Sequence, residues 1–191
     1  MDEGTILVVC TGNVCRSPLV ERVLQGALDE RYGAGALRVR SAGTGALVDH
    51  PMDERAAAVL ARFGGRADGF VARRLAEPMV AGAELVLTAT REHRARVVRL
   101  HPRALKRTFT VRELADIVAR LADDELPTAT DPVERVRQLV QVAVRHRGLH
   151  QPADPADHDV VDPYRRDDAV YDRMHDELAS ALPHVLRGLG A

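Results

Sequence analysis

The hydrophobic positions of this chain change period several times, and each change marks an element. Thr5-Ile6-Leu7-Val8-Val9 is a continuous apolar, β-rich run. Without polar alternation, such a run predicts a central strand covered on both faces. Over 18–31 the apolar residues Leu19, Val23, Leu24, Ala27 and Leu28 return at helical spacing. Ser17 suits the cap of that helix and Pro18 its first turn. Strand, small-residue loop and helix open a β-α-β unit.

The alternation continues along the chain. Strands are predicted over 37–41, 83–88 and, more weakly, 107–110. Helices are predicted over 53–63, ended by Gly64-Gly65, and over 91–100, followed by Pro102. Two more follow at 111–121, with Leu114, Val118 and Leu121 on one face, and at 167–186. A glycine-containing loop is expected over 42–51. This order predicts an α/β fold: a single-domain three-layer sandwich. Its centre would be a four-stranded, mostly parallel twisted sheet with helices on both faces.

The stretch 123–159 departs from that rhythm. A helix over 131–145 has Val133, Val136, Leu139, Val140 and Val144 on its apolar face. Acidic and proline-rich stretches flank it, 123–127 and 148–159, and read as surface loops. The expected organisation is one domain, 1–191, with an added helical and loop segment at about 123–159.

Composition narrows the function classes. A chain of 191 residues can bury a core without disulfides or metals. Its 28 acidic and 27 basic residues leave a net charge of -1, without the basic excess of a nucleic-acid binder. No stretch approaches the roughly 18 apolar residues of a membrane span. The start lacks the basic segment and long apolar run of a secretory signal. The expected compartment is the cytoplasm, with no membrane insertion and no nucleic-acid partner. Cys10 and Cys15 alone are no disulfide framework. With no histidine close by, they are no zinc site either. Six arginines between Arg91 and Arg107 read as a solvated face.

The candidate chemistry lies in Cys10-Thr11-Gly12-Asn13-Val14-Cys15-Arg16-Ser17. A loop leaving the carboxyl end of a central strand is where α/β proteins bind ligands. Helix-start amides carry partial positive charge, and a loop wrapped round a point makes an anion nest. Gly12 permits positive φ, and Asn13 is the next most tolerant residue. Cys10 would sit at the floor of the nest, where a helix N-terminus and an arginine acidify a thiol. Arg16 can hold two phosphate oxygens at once. Ser17 can donate to the sulfur. The bland alternative is a buried core cysteine beside a surface arginine.

Residues 9–18, Val-Cys-Thr-Gly-Asn-Val-Cys-Arg-Ser-Pro, resemble the signature of the low-molecular-weight protein tyrosine phosphatases. Ser41-Ala42-Gly43-Thr44, Ala72-Arg73 and Asp162-Pro163-Tyr164 extend the resemblance in the right order. It implies a cysteine-dependent phosphatase acting on phosphotyrosine in proteins through a phosphocysteine, without metal or cofactor. It implies Cys10 as nucleophile, Arg16 as phosphate clamp and Asp162 as general acid. Thr11, Gly12, Asn13, Val14, Cys15 and Ser17 would complete the phosphate loop. Of the Asp-Pro pairs, Asp131 reads as a helix cap and Asp154 lies in a linker. Tyr164 resembles one wall of the substrate cleft and Leu47 belongs to the facing loop, which carries no aromatic. Ser41 resembles a brace of the phosphate loop. Relatives place a histidine where this chain has Phe70, so one supporting hydrogen bond is missing or otherwise supplied. Cys15 resembles a second cysteine that can pair reversibly with the nucleophile; a plain buried thiol is the alternative. Val14, aliphatic, leans toward tyrosine over arginine substrates. The expected partner is a phosphorylated protein, and the expected state a monomer or weak homodimer. Protein-arginine phosphatase and small-thiol-dependent arsenate reductase are alternatives on the same scaffold. A non-catalytic phosphate-binding module is the alternative from another class.

Overall fold

β1 (Thr5–Cys10) lies at the centre of the sheet because both of its faces are apolar. Ile6 and Val8 point into one core, Leu7 and Val9 into another. Period-two alternation of the side chains makes this division. The computed structural model describes residues 4–150 and 152–191. Position 151, inside the expected 148–159 loop, lies outside them.

The other strands are β2 (Arg38–Gly43), β3 (Leu85–Thr88) and β4 (Thr108–Thr110). The order is β2-β1-β3-β4, and every pairing is parallel. The helices are α1 (Arg16–Tyr32), α2 (Glu54–Arg62), α3 (Glu77–Ala81), α4 (Arg91–Leu100), α5 (Val111–Ala119), α6 (Pro132–His146) and α7 (Asp168–Leu189). The larger core joins one face of the sheet to α1, α2, α5, α6 and α7. The smaller one sets Leu7, Val9 and Val86 against Val80 of α3 and Val97 of α4. With a helix layer on each face, this is the three-layer α/β sandwich. The chain leaves β1 in one direction to β2 and returns past it to β3. The carboxyl end of β1 therefore lies at a topological switch point.

Three differences from the sequence reading have physical causes. First, α1 begins at Arg16, so Ser17 lies inside the helix instead of capping it. The cap position falls to Cys15, which makes no side-chain cap bond. The first-turn amides are thus left for a ligand. Second, β2 runs two residues further than expected, to Gly43, which pairs with Cys10. A Cβ at Gly43 would lie 2.3 Å from the Thr11 carbonyl oxygen, so only glycine lets the strand pass this close. Third, the short helix α3 was not expected; Pro78 in its first turn starts it.

The 123–159 stretch contributes α6, whose Val136, Leu139, Val142 and Ala143 enter the larger core. Asp131 caps it, accepting from the Glu134 amide at 2.8 Å. Arg137 of α6 pairs with Glu84, just before β3. Val133 packs against Gly4, just before β1. The start of α6 thus lies at the end of the sheet opposite Cys10.

Candidate active site

The loop after β1 is held from outside by its carbonyl groups. Those of Cys10, Thr11, Gly12 and Val14 accept from the amides of Thr44, Gly45, Leu47 and Asp53, at 2.9–3.0 Å. In a trans peptide the carbonyl and the next N–H point opposite ways. The N–H groups of Thr11, Gly12, Asn13 and Cys15 are therefore turned inward. They make the cup that an anion nest requires. Of the two residues the sequence offers for positive φ, Asn13 adopts it, at 55°, and Gly12 stays out of the left-handed region. Asn13 tolerates this conformation, and its side-chain hydrogen bonds hold it there.

Those bonds form a buried network. Asn13 donates to the hydroxyls of Ser17 (2.9 Å) and Ser41 (2.8 Å) and accepts from the Arg73 amide (2.8 Å). Ser41 donates in turn to the Glu21 carboxylate. Phe70 is buried and has no polar group to offer, and the network ends at the Glu21 carboxylate. At the other end, Ser17 Oγ lies 2.9 Å from Cys10 Sγ.

The cup opens into a cavity of about 130 Å³. Cys10, Thr11, Gly12, Val14, Cys15 and Arg16 form its floor, and Gly45, Leu47, Asp162 and Tyr164 its sides. Arg16 is buried, its side chain 5% exposed, and donates to the Val160 carbonyl at 3.2 Å. Its other terminal nitrogen lies 2.8 Å from Asp162 Oδ2. Asp162 is 53% exposed, and its Oδ1 accepts from the Tyr164 amide at 3.2 Å. Asp131 and Asp154 sit elsewhere, each capping a helical turn. The structure thus brings Cys10, Arg16, Asp162 and Tyr164 to one cavity and leaves the other two Asp-Pro pairs outside it. On the facing side Leu47 is half-buried, and Val48 and His50 are exposed.

Both cysteines are free and buried. Burial pushes the Cys15 thiol up, and the Asp53 carboxylate and Cys10 push it further. A thiol in that setting stays protonated at neutral pH and is a poor nucleophile. Asp53 also accepts from the Tyr171 hydroxyl at 2.9 Å.

Two residues of the site went unnoticed in the sequence. His93, in the first turn of α4, is buried between two hydroxyls: Thr90 Oγ1 at 2.6 Å from Nδ1 and Thr11 Oγ1 at 2.8 Å from Nε2. Burial pushes its imidazole down to about 4, and the Arg16 charge adds to that. The ring is therefore neutral near pH 7, donating one of these bonds and accepting the other. A lone histidine in an arginine-rich helix carries no signal of this. Glu21 did carry one: it lies four residues after Ser17, on the helix face that also buries Leu24 and Leu28. A carboxylate on an apolar face asks for a partner.

Among the described residues, no group of three or more His, Cys, Asp or Glu side chains could hold a metal ion. No described helix is long and apolar enough to cross a membrane.

The sequence profile described as low molecular weight phosphotyrosine protein phosphatase matches residues 5–151. The low molecular weight protein-tyrosine-phosphatase Etp of Escherichia coli K12 is 40% identical over 106 residues, 56% of this chain and 68% of that protein. Wzb of the same strain, another low molecular weight protein-tyrosine-phosphatase, is 39% identical over 99 residues, 52% of this chain and 63% of Wzb. The crystal structure of the tyrosine phosphatase Wzb from E. coli K30 with sulphate superposes with a TM-score of 0.67 at 25% identity. That match covers 98% of this chain and 99% of the other. The YwlE arginine phosphatase from Geobacillus stearothermophilus shares the fold, with a TM-score of 0.67 at 24% identity over 98% of this chain and 93% of that one. This chain belongs to the low molecular weight phosphotyrosine protein phosphatase family.

Proposed function

We propose that this protein is a cysteine-dependent phosphatase that hydrolyses phosphotyrosine in proteins through a phosphocysteine intermediate. The observation that carries the reading is the convergence of one sulfur, one guanidinium and one carboxyl group on a cup of inward amides. Family membership and the tyrosine-phosphatase relatives support it.

The cup's amides and Arg16 bind the three non-bridging phosphate oxygens. Cys10 Sγ then lies beneath phosphorus, in line with the departing oxygen. Ser17 donates to the sulfur and stabilises its charge. As phosphate arrives, Arg16 exchanges the Asp162 carboxylate for phosphate oxygens. The exposed Asp162 side chain, released from Arg16, takes a proton from solvent and turns toward the leaving group. The S–P bond forms as the P–O bond to tyrosine breaks, and the Asp162 proton passes to the phenol oxygen. A phenol with a pKa near 10 leaves poorly without that proton. In the second half, the Asp162 carboxylate takes a proton from water, whose oxygen attacks phosphorus and releases Cys10. No step needs a metal or cofactor. A thiol nucleophile works where thiols stay reduced, which fits the cytoplasm.

Val14 at the floor offers apolar contact to a phenol ring and no hydrogen bond to a guanidinium. Tyr164 can stack on the ring from one side. The test is a panel of phosphotyrosine peptide, phosphoarginine peptide and arsenate, with Cys10→Ala as blank. The expected result is turnover of phosphotyrosine well above the other two and none in the blank. Preferred turnover of phosphoarginine, or equal rates in the blank, would overturn the reading.

A further inference from the structure

Asp162 sits on a stretch that belongs to no helix or strand, yet 159–162 is tied down at every residue. The Asp159 carboxylate accepts from the Arg91 amide at 2.7 Å and meets its guanidinium at 3.2 Å. The Asp159 carbonyl accepts from Arg112 at 2.9 Å. The Val160 amide donates to Ala89 at 2.8 Å, and its carbonyl accepts from Arg16. The Val161 amide donates to Glu177 Oε2 at 2.8 Å.

Glu177 is not a surface charge. Its side chain is 11% exposed and both oxygens are engaged. Oε1 lies 2.9 Å from Arg173 and 3.9 Å from Arg112, which itself holds the stretch from α5. The helices α5 and α7 also pack through apolar side chains, apart from this pair. Leu114, Val118, Leu178 and Leu182 already join them in the apolar core. What Glu177 and Arg112 add is a grip on the backbone leading to Asp162. A proton donor must lie within hydrogen-bond reach of the departing oxygen, and a displacement of about 1 Å costs on the order of a hundredfold in rate.

We propose that Glu177 and Arg112 are positioning residues for proton donation. They fix the backbone of 159–161, so that only the Asp162 side chain moves between Arg16 and the leaving oxygen. This rests on the reading of Asp162 as the general acid.

The test compares kcat/KM on two aryl phosphates, phenyl phosphate and a nitrophenyl phosphate whose phenol leaves readily without a proton. Glu177→Ala is expected to lose roughly 10–30-fold on phenyl phosphate and under about threefold on the nitrophenyl ester. Glu177→Gln keeps an acceptor for the Val161 amide and stays within about threefold on both. Arg112→Gln shows the same split at roughly 3–10-fold, and decides the matter if Glu177→Ala does not fold. Equal losses on both esters, or no loss, in Glu177→Ala and Arg112→Gln would overturn the inference. Asp162→Asn is run beside them. A split there with none in Glu177→Ala and Arg112→Gln defeats the positioning role alone. No split in Asp162→Asn defeats the acid assignment itself.

Discussion

The floor of the cup and its rim are built in opposite ways. At the floor, Asn13, Ser17, Ser41 and Glu21 are buried; Asn13 holds both serines, and Ser41 holds Glu21. Three side-chain bonds hold Asn13, and four backbone bonds hold the loop carbonyls. At the rim, Leu47 is half-buried, Val48 and His50 face solvent, and Tyr164 has the Arg165 guanidinium 5.2 Å above its ring. The rim's backbone is bonded too, the Leu47 and Asp49 amides donating to the Gly12 and Ala72 carbonyls, but its side chains are apolar or exposed, and no aromatic faces Tyr164 across the cleft. The difference separates two tasks. A phosphate is the same in every substrate, so its receptor can be rigid. The peptide around it varies, so the wall that meets it is left adjustable. Changes at the floor should cost catalysis and stability together, whereas changes at the rim should alter only which substrate is preferred.

The largest expected effect comes from Asn13→Ala. It strands two hydroxyls and one amide in the buried network and removes the residue that adopts the left-handed turn. Unfolding free energy should drop by about 2–3 kcal/mol. Because the cup loses its shape, kcat/KM should fall roughly 10–100-fold on any aryl phosphate. Denaturant melts and steady-state rates check this. A variant that keeps its stability and changes only substrate preference would erase the distinction between floor and rim.

His93 gives a smaller effect, confined to acid pH. Its imidazole titrates near 6.5 when unfolded and is pushed down to about 4 when buried. Between those values the unfolded chain binds the extra proton, so stability falls as pH drops from about 6.5 to 4 and is whole above that window. The loss should be roughly 1–3 kcal/mol, and His93→Gln should flatten that part of the profile. Melting curves at pH 4.5, 5.5 and 7 read it out, and a parallel profile in the variant would contradict the buried neutral ring.

The smallest effect sharpens the rim. Leu47→Trp supplies the missing aromatic opposite Tyr164. A stacked ring is worth about 0.5–1.5 kcal/mol, so KM for a phosphotyrosine peptide should fall roughly 2–10-fold with little change in kcat. A comparable drop in kcat would mean that the rim also shapes the chemistry.

Much of this was legible in the sequence because it is local. The strand, loop and helix of residues 5–31 follow from an apolar run, small residues and a return to helical spacing. Cys10, Arg16 and Ser17 lie within eight consecutive positions. Asp162 was separable from Asp131 and Asp154 because the latter two read as a helix cap and a linker residue. What stayed hidden depends on contacts across the chain. Ser17 looked like a cap because serine before proline usually is one, but the sulfur of Cys10 and the amide of Asn13 claim its hydroxyl. Gly12 and Asn13 both suited positive φ, and the bonds of Asn13 to Ser41 and Arg73, 28 and 60 positions away, accompany the turn at Asn13. His93 gains its role from Thr11, 82 positions away, which no spacing rule can see.

The central claim is that a sulfur takes the phosphoryl group. Rapid acid quenching of the enzyme during turnover of a radiolabelled aryl phosphate, followed by peptide mapping, tests it most directly. The account predicts label on the peptide carrying Cys10, released by iodine as an S–P bond is, and none in Cys10→Ala. Label on another residue, or undiminished turnover in Cys10→Ala, would contradict it.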